Sequence, residues 1–170
     1  MDRERPDERD YRLGGAAMTR SIAEICQRNV DVIGADDSVA LAAERMRQRT
    51  VGCLIVVNAK QEPIGMVTDR DLVIRVLADG KDPDLTPVID VMSADPVVAT
   101  ADTTINAALG MMRNGPFRRL PLVDARGALL ALVTLDDILM HFGREFAEIN
   151  SVLNLESPAG VATASPIAGH

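Results

Sequence analysis

Gly65-Met66-Val67-Thr68-Asp69-Arg70-Asp71 is followed, 66 residues further on, by Ala131-Leu132-Val133-Thr134-Leu135-Asp136-Asp137. Each stretch is an apolar run that ends in Thr-x-x-Asp directly before a second apolar run. The same offset aligns much more of the chain without a gap. Val32 falls on Val98, Asp36 on Asp102, Ala42 on Ala108, Met46 on Met112, Leu54 on Leu120 and Val57 on Val123. Ile22 and Ile25 fall on Val88 and Val91. A fixed offset of this kind marks one structural unit present twice.

Each copy reads alike. A short lead-in precedes a brief strand near 30–34 or 96–100, and then Asp-x-Ser or Asp-x-Thr marks a helix start. Val39, Ala42, Ala43 and Met46, like Ile105, Ala108, Leu109 and Met112, recur at spacings of three and four, one apolar face of a helix. Cys53 to Val57 and Leu120 to Val123 are branched apolar runs followed by polar turns, and the next apolar runs end at Thr68 and Thr134. These are two hairpins. A closing helix is expected to begin near Asp71 or Asp137. The unit is therefore β-α-β-β-α, an α/β (α+β) architecture. A unit of about 60 residues buries too little of its surface to be secure alone, so the two copies are expected to pack as a pseudo-two-fold pair.

The spacing leaves the chemistry of Thr-x-x-Asp open. It is a capping box, with Thr bonding forward to a backbone N–H and Asp reaching back. It also places polar groups beside the free N–H groups of a helix start, which suit an anion.

The repeated motifs, together with Arg118-Arg119-Leu120-Pro121-Leu122-Val123-Asp124, resemble the CBS domain family, in which two such units form a Bateman module. The resemblance covers about residues 19–143. It implies clefts between the units that take AMP, ADP, ATP or S-adenosylmethionine as a regulatory ligand, with no cofactor required. Carried over by position, Asp71 and Asp137 hold ribose hydroxyls and Thr68 and Thr134 face phosphates. Val32-Ile33-Gly34 and Val98-Ala99-Thr100 line an apolar slot for adenine. Arg70 serves the first copy's phosphate, and Arg118 or Arg119 reaches the cleft mouth. Arg118 and Arg119 adjoin on a strand, so they are expected to point to opposite faces, with only one entering a given cleft and the other at the surface. The second motif lacks a cation of its own, since Leu135-Asp136 replaces Asp69-Arg70, so the first cleft is favoured for a charged ligand.

Composition narrows the function classes. Of 170 residues 47% are apolar and only 2% aromatic, with no Trp. The core is thus aliphatic, and few rings are available to stack on single-stranded nucleic acid. A net charge of −7 with no basic run disfavours nucleic acid as a partner. No run reaches the ~18 apolar residues of a membrane span, and the opening MDRERPDERDYR has no apolar signal region. A cytoplasmic protein is expected, away from membranes. Cys26 and Cys53 read as reduced core thiols. His141 and His170 have no partners at metal or catalytic spacing, and no nucleophile motif is present, so no enzymatic activity is expected.

The domain layout expected is a disordered tail over 1–17, repeats over 18–80 and 81–143, a helical extension over 144–155 and a second tail over 156–170. The first closing helix is expected to stop at Asp79-Gly80. Its counterpart runs on, with Ile138, Leu139, Phe142, Phe146, Ile149 and Leu153 in a three-to-four spacing. That stripe suits either a homodimer or a fold-back on its own module. The function expected is signalling to a regulated partner protein, and a ligand-free interaction module with degenerate clefts is the alternative.

Overall fold

The computed structural model describes residues 20–115 and 117–156; both expected tails, apart from Glu156, lie outside them. Two β-α-β-β-α copies are present. The first has strand β1 (Val32–Gly34), helix α1 (Val39–Arg49), strands β2 (Cys53–Val57) and β3 (Pro63–Thr68), and helix α2 (Asp69–Leu72), which runs into a π turn at Val73–Leu77. After a two-residue strand β4 (Ser93–Ala94), the second has β5 (Ala99–Thr100), α3 (Ile105–Asn114), β6 (Arg119–Val123), β7 (Leu129–Thr134) and α4 (Leu135–Glu156).

Local chemistry explains these boundaries. Ser38 and Thr104 cap α1 and α3, their hydroxyl oxygens accepting from the N–H of Leu41 and Ala107 at 3.2 Å. Both hairpin turns are closed by one side-chain oxygen: Asn58 Oδ1 accepts from the N–H of Lys60 and Glu62, and Asp124 Oδ1 from those of Arg126 and Ala128. The first closing helix ends near Gly80, whose φ of 66° suits glycine.

One sheet has the order β1-β2-β3-β4 and the other β5-β6-β7. In both, the first strand is parallel to the second and the second is antiparallel to the third. Leu54, Ile55 and Val56 are all essentially buried, which alternation allows only if both faces of β2 are covered. Leu54 and Val56 join Ile33, Val39, Ala42, Met46 and Val67 in one aliphatic core.

That core also contains Val88 and Val91, which come from the lead-in to the second copy. The exchange is reciprocal. The N–H of Val88 donates to Asp37 O and that of Val39 to Thr86 O, while the N–H of Ile22 donates to Thr103 O and that of Ile105 to Arg20 O. Gln27 bridges Leu132 just as Ser93 pairs with Met66. Each copy therefore lends its lead-in to the other, and every one of these contacts recurs at the 66-residue offset. Repeat boundaries drawn at residues 18 and 81 follow the sequence order, whereas the packed bodies each borrow a segment from across that line.

The chain divides into two compact units with the boundary between Ile138 and Leu139. In the second unit α4 continues to Glu156, with Leu139, Met140, Phe146, Ile149, Val152 and Leu153 exposed and His141 buried.

Candidate ligand cleft

Thr68 and Thr134 close their strands and open their helices, and each forms the reciprocal cap with the aspartate three residues on. The Thr68 N–H and hydroxyl donate to Asp71 Oδ2 at 2.9 and 2.7 Å, and the Asp71 N–H donates back to Thr68 Oγ1 at 3.2 Å. The second copy repeats this at 2.8, 2.6 and 3.1 Å. Each threonine hydroxyl thus gives its one proton to the aspartate and accepts from a backbone N–H. The second carboxylate oxygen is held differently in the two copies. Asp71 Oδ1 lies 3.3 Å from Nη2 of Arg75, and Asp137 Oδ1 accepts from Nε2 of Gln27 at 2.9 Å.

Thr68, Arg70, Asp71, Arg118 and Arg119 come together around one cavity of about 660 Å³, within the usual range for small-molecule sites. Arg118 lies just before β6, outside the strand. Alternation therefore does not separate it from Arg119, and both arginines line the same cleft, contrary to the expectation that only one enters. The remaining wall comes from Gly52, Cys53 and Met66 of the first copy, from the Ser93-to-Val97 segment, and from Phe117. Met66 and Thr68 are two apart on β3 and so share a face.

Formal charges in the lining balance, with Asp69, Asp71 and Asp95 against Arg70, Arg118 and Arg119. Burial pushes the Cys53 thiol above its ordinary value; the Arg119 guanidinium opposes the rise, and Asp71 and Asp69 add to it. Arg119 lines the same cavity as Thr68 and Asp71. Cys26 and Cys53 are both free and half-buried.

The remaining expected residues lie apart from this cleft. Val32 and Ile33 line a separate depression of about 560 Å³ with Asp36, Asp37 and Arg45, and Ile33 is itself a core residue. Val98 is partly exposed beside the cleft residue Val97, Ala99 is buried, and the Thr100 hydroxyl bonds Asp102 Oδ1 at 2.5 Å. Thr134 and Asp137 form the second junction, with Gln27.

The offset comparison missed Phe117, Pro96, Val97, Asp95, Ser93 and Arg75. All but Arg75 lie outside the first copy, and they reach its motif only through the exchanged lead-in and the neighbouring β6. Arg75 was legible as the basic residue one helical turn after Asp71. Among the described residues no group of three His, Cys, Asp or Glu side chains is placed to hold a metal, and no helix is long and apolar enough to cross a membrane.

A family model for the CBS domain matches residues 22–78 and 88–144. An uncharacterized protein of Methanopyrus kandleri is 39% identical over 119 residues, which cover 70% of this chain and 61% of that protein; this chain thus spans less than two thirds of that relative's length. The crystal structure of Hypoxic Response Protein I with two coordinated zinc ions superposes with a TM-score of 0.65 at 30% identity, covering 72% of this chain and 98% of that one. A hexameric CBS-CP12 protein from bloom-forming cyanobacteria gives a TM-score of 0.64 at 30% identity, covering 72% and 67%.

Proposed function

We propose that this chain, which belongs to the CBS domain family and carries the domain twice, is a regulatory protein that takes an adenosine phosphate in the cleft beside Thr68 and Asp71 and passes its occupancy to a partner protein. The observation that carries this reading is the composition of one cavity: Asp71, three arginines and an apolar wall that includes Phe117. An ionised carboxylate is an acceptor fitted to ribose hydroxyls. Arg70, Arg118 and Arg119 supply forked donors for phosphate oxygens, and Met66, Pro96, Val97 and Phe117 offer apolar contact to a purine. The Thr68 proton already belongs to Asp71, so Thr68 orients the carboxylate and the arginines take the phosphate.

No catalysis enters this account: the cleft supplies binding groups, and its cysteine is held as the thiol. The regulated partner is a protein in the same compartment, taken here as the cytoplasm. The hexameric relative shows that a CBS-containing protein can assemble, and the exposed stripe on α4 fits pairing with a second copy.

Isothermal calorimetry on the full chain tests the ligand reading. AMP, ADP or ATP binds, Asp71→Ala weakens the affinity about 10- to 100-fold through loss of hydrogen bonds to a charged group, and Arg118→Ala with Arg119→Ala lowers AMP affinity while sparing adenosine. Undiminished binding in both Asp71→Ala and Asp137→Ala removes these aspartates from the site. No binding by any of the three nucleotides leaves the chain as an interaction module.

A further inference from the structure

Arg75 reaches three groups on two segments of the chain. Its Nη1 donates to Val91 O at 2.6 Å, and its Nη2 donates to Ser93 Oγ at 3.2 Å and lies 3.3 Å from Asp71 Oδ1. Val91 is fully buried in the core of the first copy. The Nη1 bond therefore anchors one prong of a rigid planar fork, and the direction of the other prong follows from it. Asp71 and Ser93 both line the first cleft. One nitrogen thus holds a side-chain oxygen of α2 and one of β4 close together at the cavity wall.

Donor and acceptor capacity decides what each oxygen has left. Asp71 Oδ2 accepts from the N–H and the hydroxyl of Thr68, which uses its lone pairs, whereas Oδ1 keeps one beside Arg75. Arginine has no acceptor, so the Ser93 hydroxyl accepts from it and retains its own proton. Among the described residues no group takes that proton. The wall therefore presents an anionic acceptor and a hydroxyl donor side by side. A sugar hydroxyl is donor and acceptor at once and satisfies both. We infer that Ser93 is a second ribose-binding residue of the first cleft, working with Asp71, and that Arg75 is the positioning residue that sets the pair. The 66-residue offset puts Gln27 at the position of Ser93 and His141 at that of Arg75, so the trio is not repeated, and comparison of the copies gives no sign of it.

This inference rests on the adenosine-ligand reading of the first cleft, and a nucleotide without ribose hydroxyls separates the two. The full chain is titrated by calorimetry with AMP and with 2′,3′-dideoxyadenosine 5′-monophosphate, which keeps the purine and the phosphate. The wild-type chain binds AMP more tightly than the dideoxy analogue. Ser93 is exposed on a two-residue strand, so Ser93→Ala keeps the fold. It weakens AMP about 3- to 10-fold, the loss of one neutral hydrogen bond, and leaves the analogue unchanged. In an Arg75→Met background Ser93→Ala alters the ratio of the two affinities no further, because the hydroxyl is no longer aimed. Equal affinity of the wild-type chain for both ligands, equal losses in Ser93→Ala, or no loss at all overturns the role of Ser93. A Ser93→Ala effect that persists in full without Arg75 overturns the positioning role. The cleft survives each of these results as a nucleotide site. No uptake of AMP or the analogue by the wild-type chain defeats the ligand reading itself, and this inference with it.

Discussion

At the residue scale, Thr68 and Asp71 form the cap that is one of the two readings the sequence presents, and both also line the cleft. The cap uses Thr68 Oγ1 and Asp71 Oδ2, while Asp71 Oδ1 is left to Arg75 and the cleft. The cap is therefore compatible with the proposed ligand contact, and the pattern Thr-x-x-Asp alone was unable to show this because it does not say where each oxygen points. Gly65 gives a second case. A Cβ added there would lie 2.3 Å from Met92 Sδ, so the glycine admits a large side chain from the exchanged lead-in. The second copy has Ala131 and, at the position of Met92, the smaller Cys26, a change in two places that looks like a simple departure when Ala131 is read alone. Cys53 makes a prediction at this scale. Burial is the main reason its thiol is raised, and only the thiolate reacts with alkylating agents. At pH 8 iodoacetamide modifies Cys53 more slowly in the folded chain than in urea, and saturating AMP slows it further because the residue lines the cleft. Mass spectrometry of the Cys53 peptide reads both rates. Equal rates folded and unfolded contradict the burial, and a folded rate indifferent to AMP contradicts the placement of the ligand.

At the element scale, the two closing helices part company after the same start. The first is four α residues and a π turn that ends before Gly80, and the second is a 22-residue helix. Both were legible, the stop from Asp79-Gly80 and the extension from its spaced apolar residues. The π turn was not, because it arises from backbone register and has no residue signature of its own. Beyond Leu139 the helix keeps Phe146, Ile149 and Leu153 more than half exposed, a stripe with the three-to-four spacing of a helix–helix seam. Pairing with the same stripe of a second copy buries both under one two-fold axis. Light scattering on the full chain gives a dimer mass, and truncation after Gly143 shifts the mass toward the monomer on dilution. Identical dissociation of the two chains shows that the extension has no part in assembly.

At the scale of the whole molecule, the offset of 66 residues specified two β-α-β-β-α copies, and their small size their pseudo-two-fold pairing, but neither revealed that the lead-ins are exchanged. Sequence alignment matches each lead-in to its counterpart and is silent on which core it enters; Val88 and Val91 look like the start of the second copy and are buried in the first. The consequence for the site is direct, since Ser93 to Val97 reach the Thr68 motif only through that exchange. A fragment ending at Lys81 therefore lacks Val88, Val91 and β4. It stays unfolded by circular dichroism, whereas residues 20–156 unfold in urea as one cooperative transition. A fragment that folds alone contradicts the exchanged core. The central claim, that the first cleft is a nucleotide site, is met most directly by thermal melting of the full chain with AMP, ADP and ATP. Ligand at 100 times its Kd adds about 2.7 kcal/mol, which raises the Tm by roughly 5–11 °C for a domain of this size, and Asp71→Ala reduces the rise. A Tm unmoved by all three nucleotides contradicts the claim.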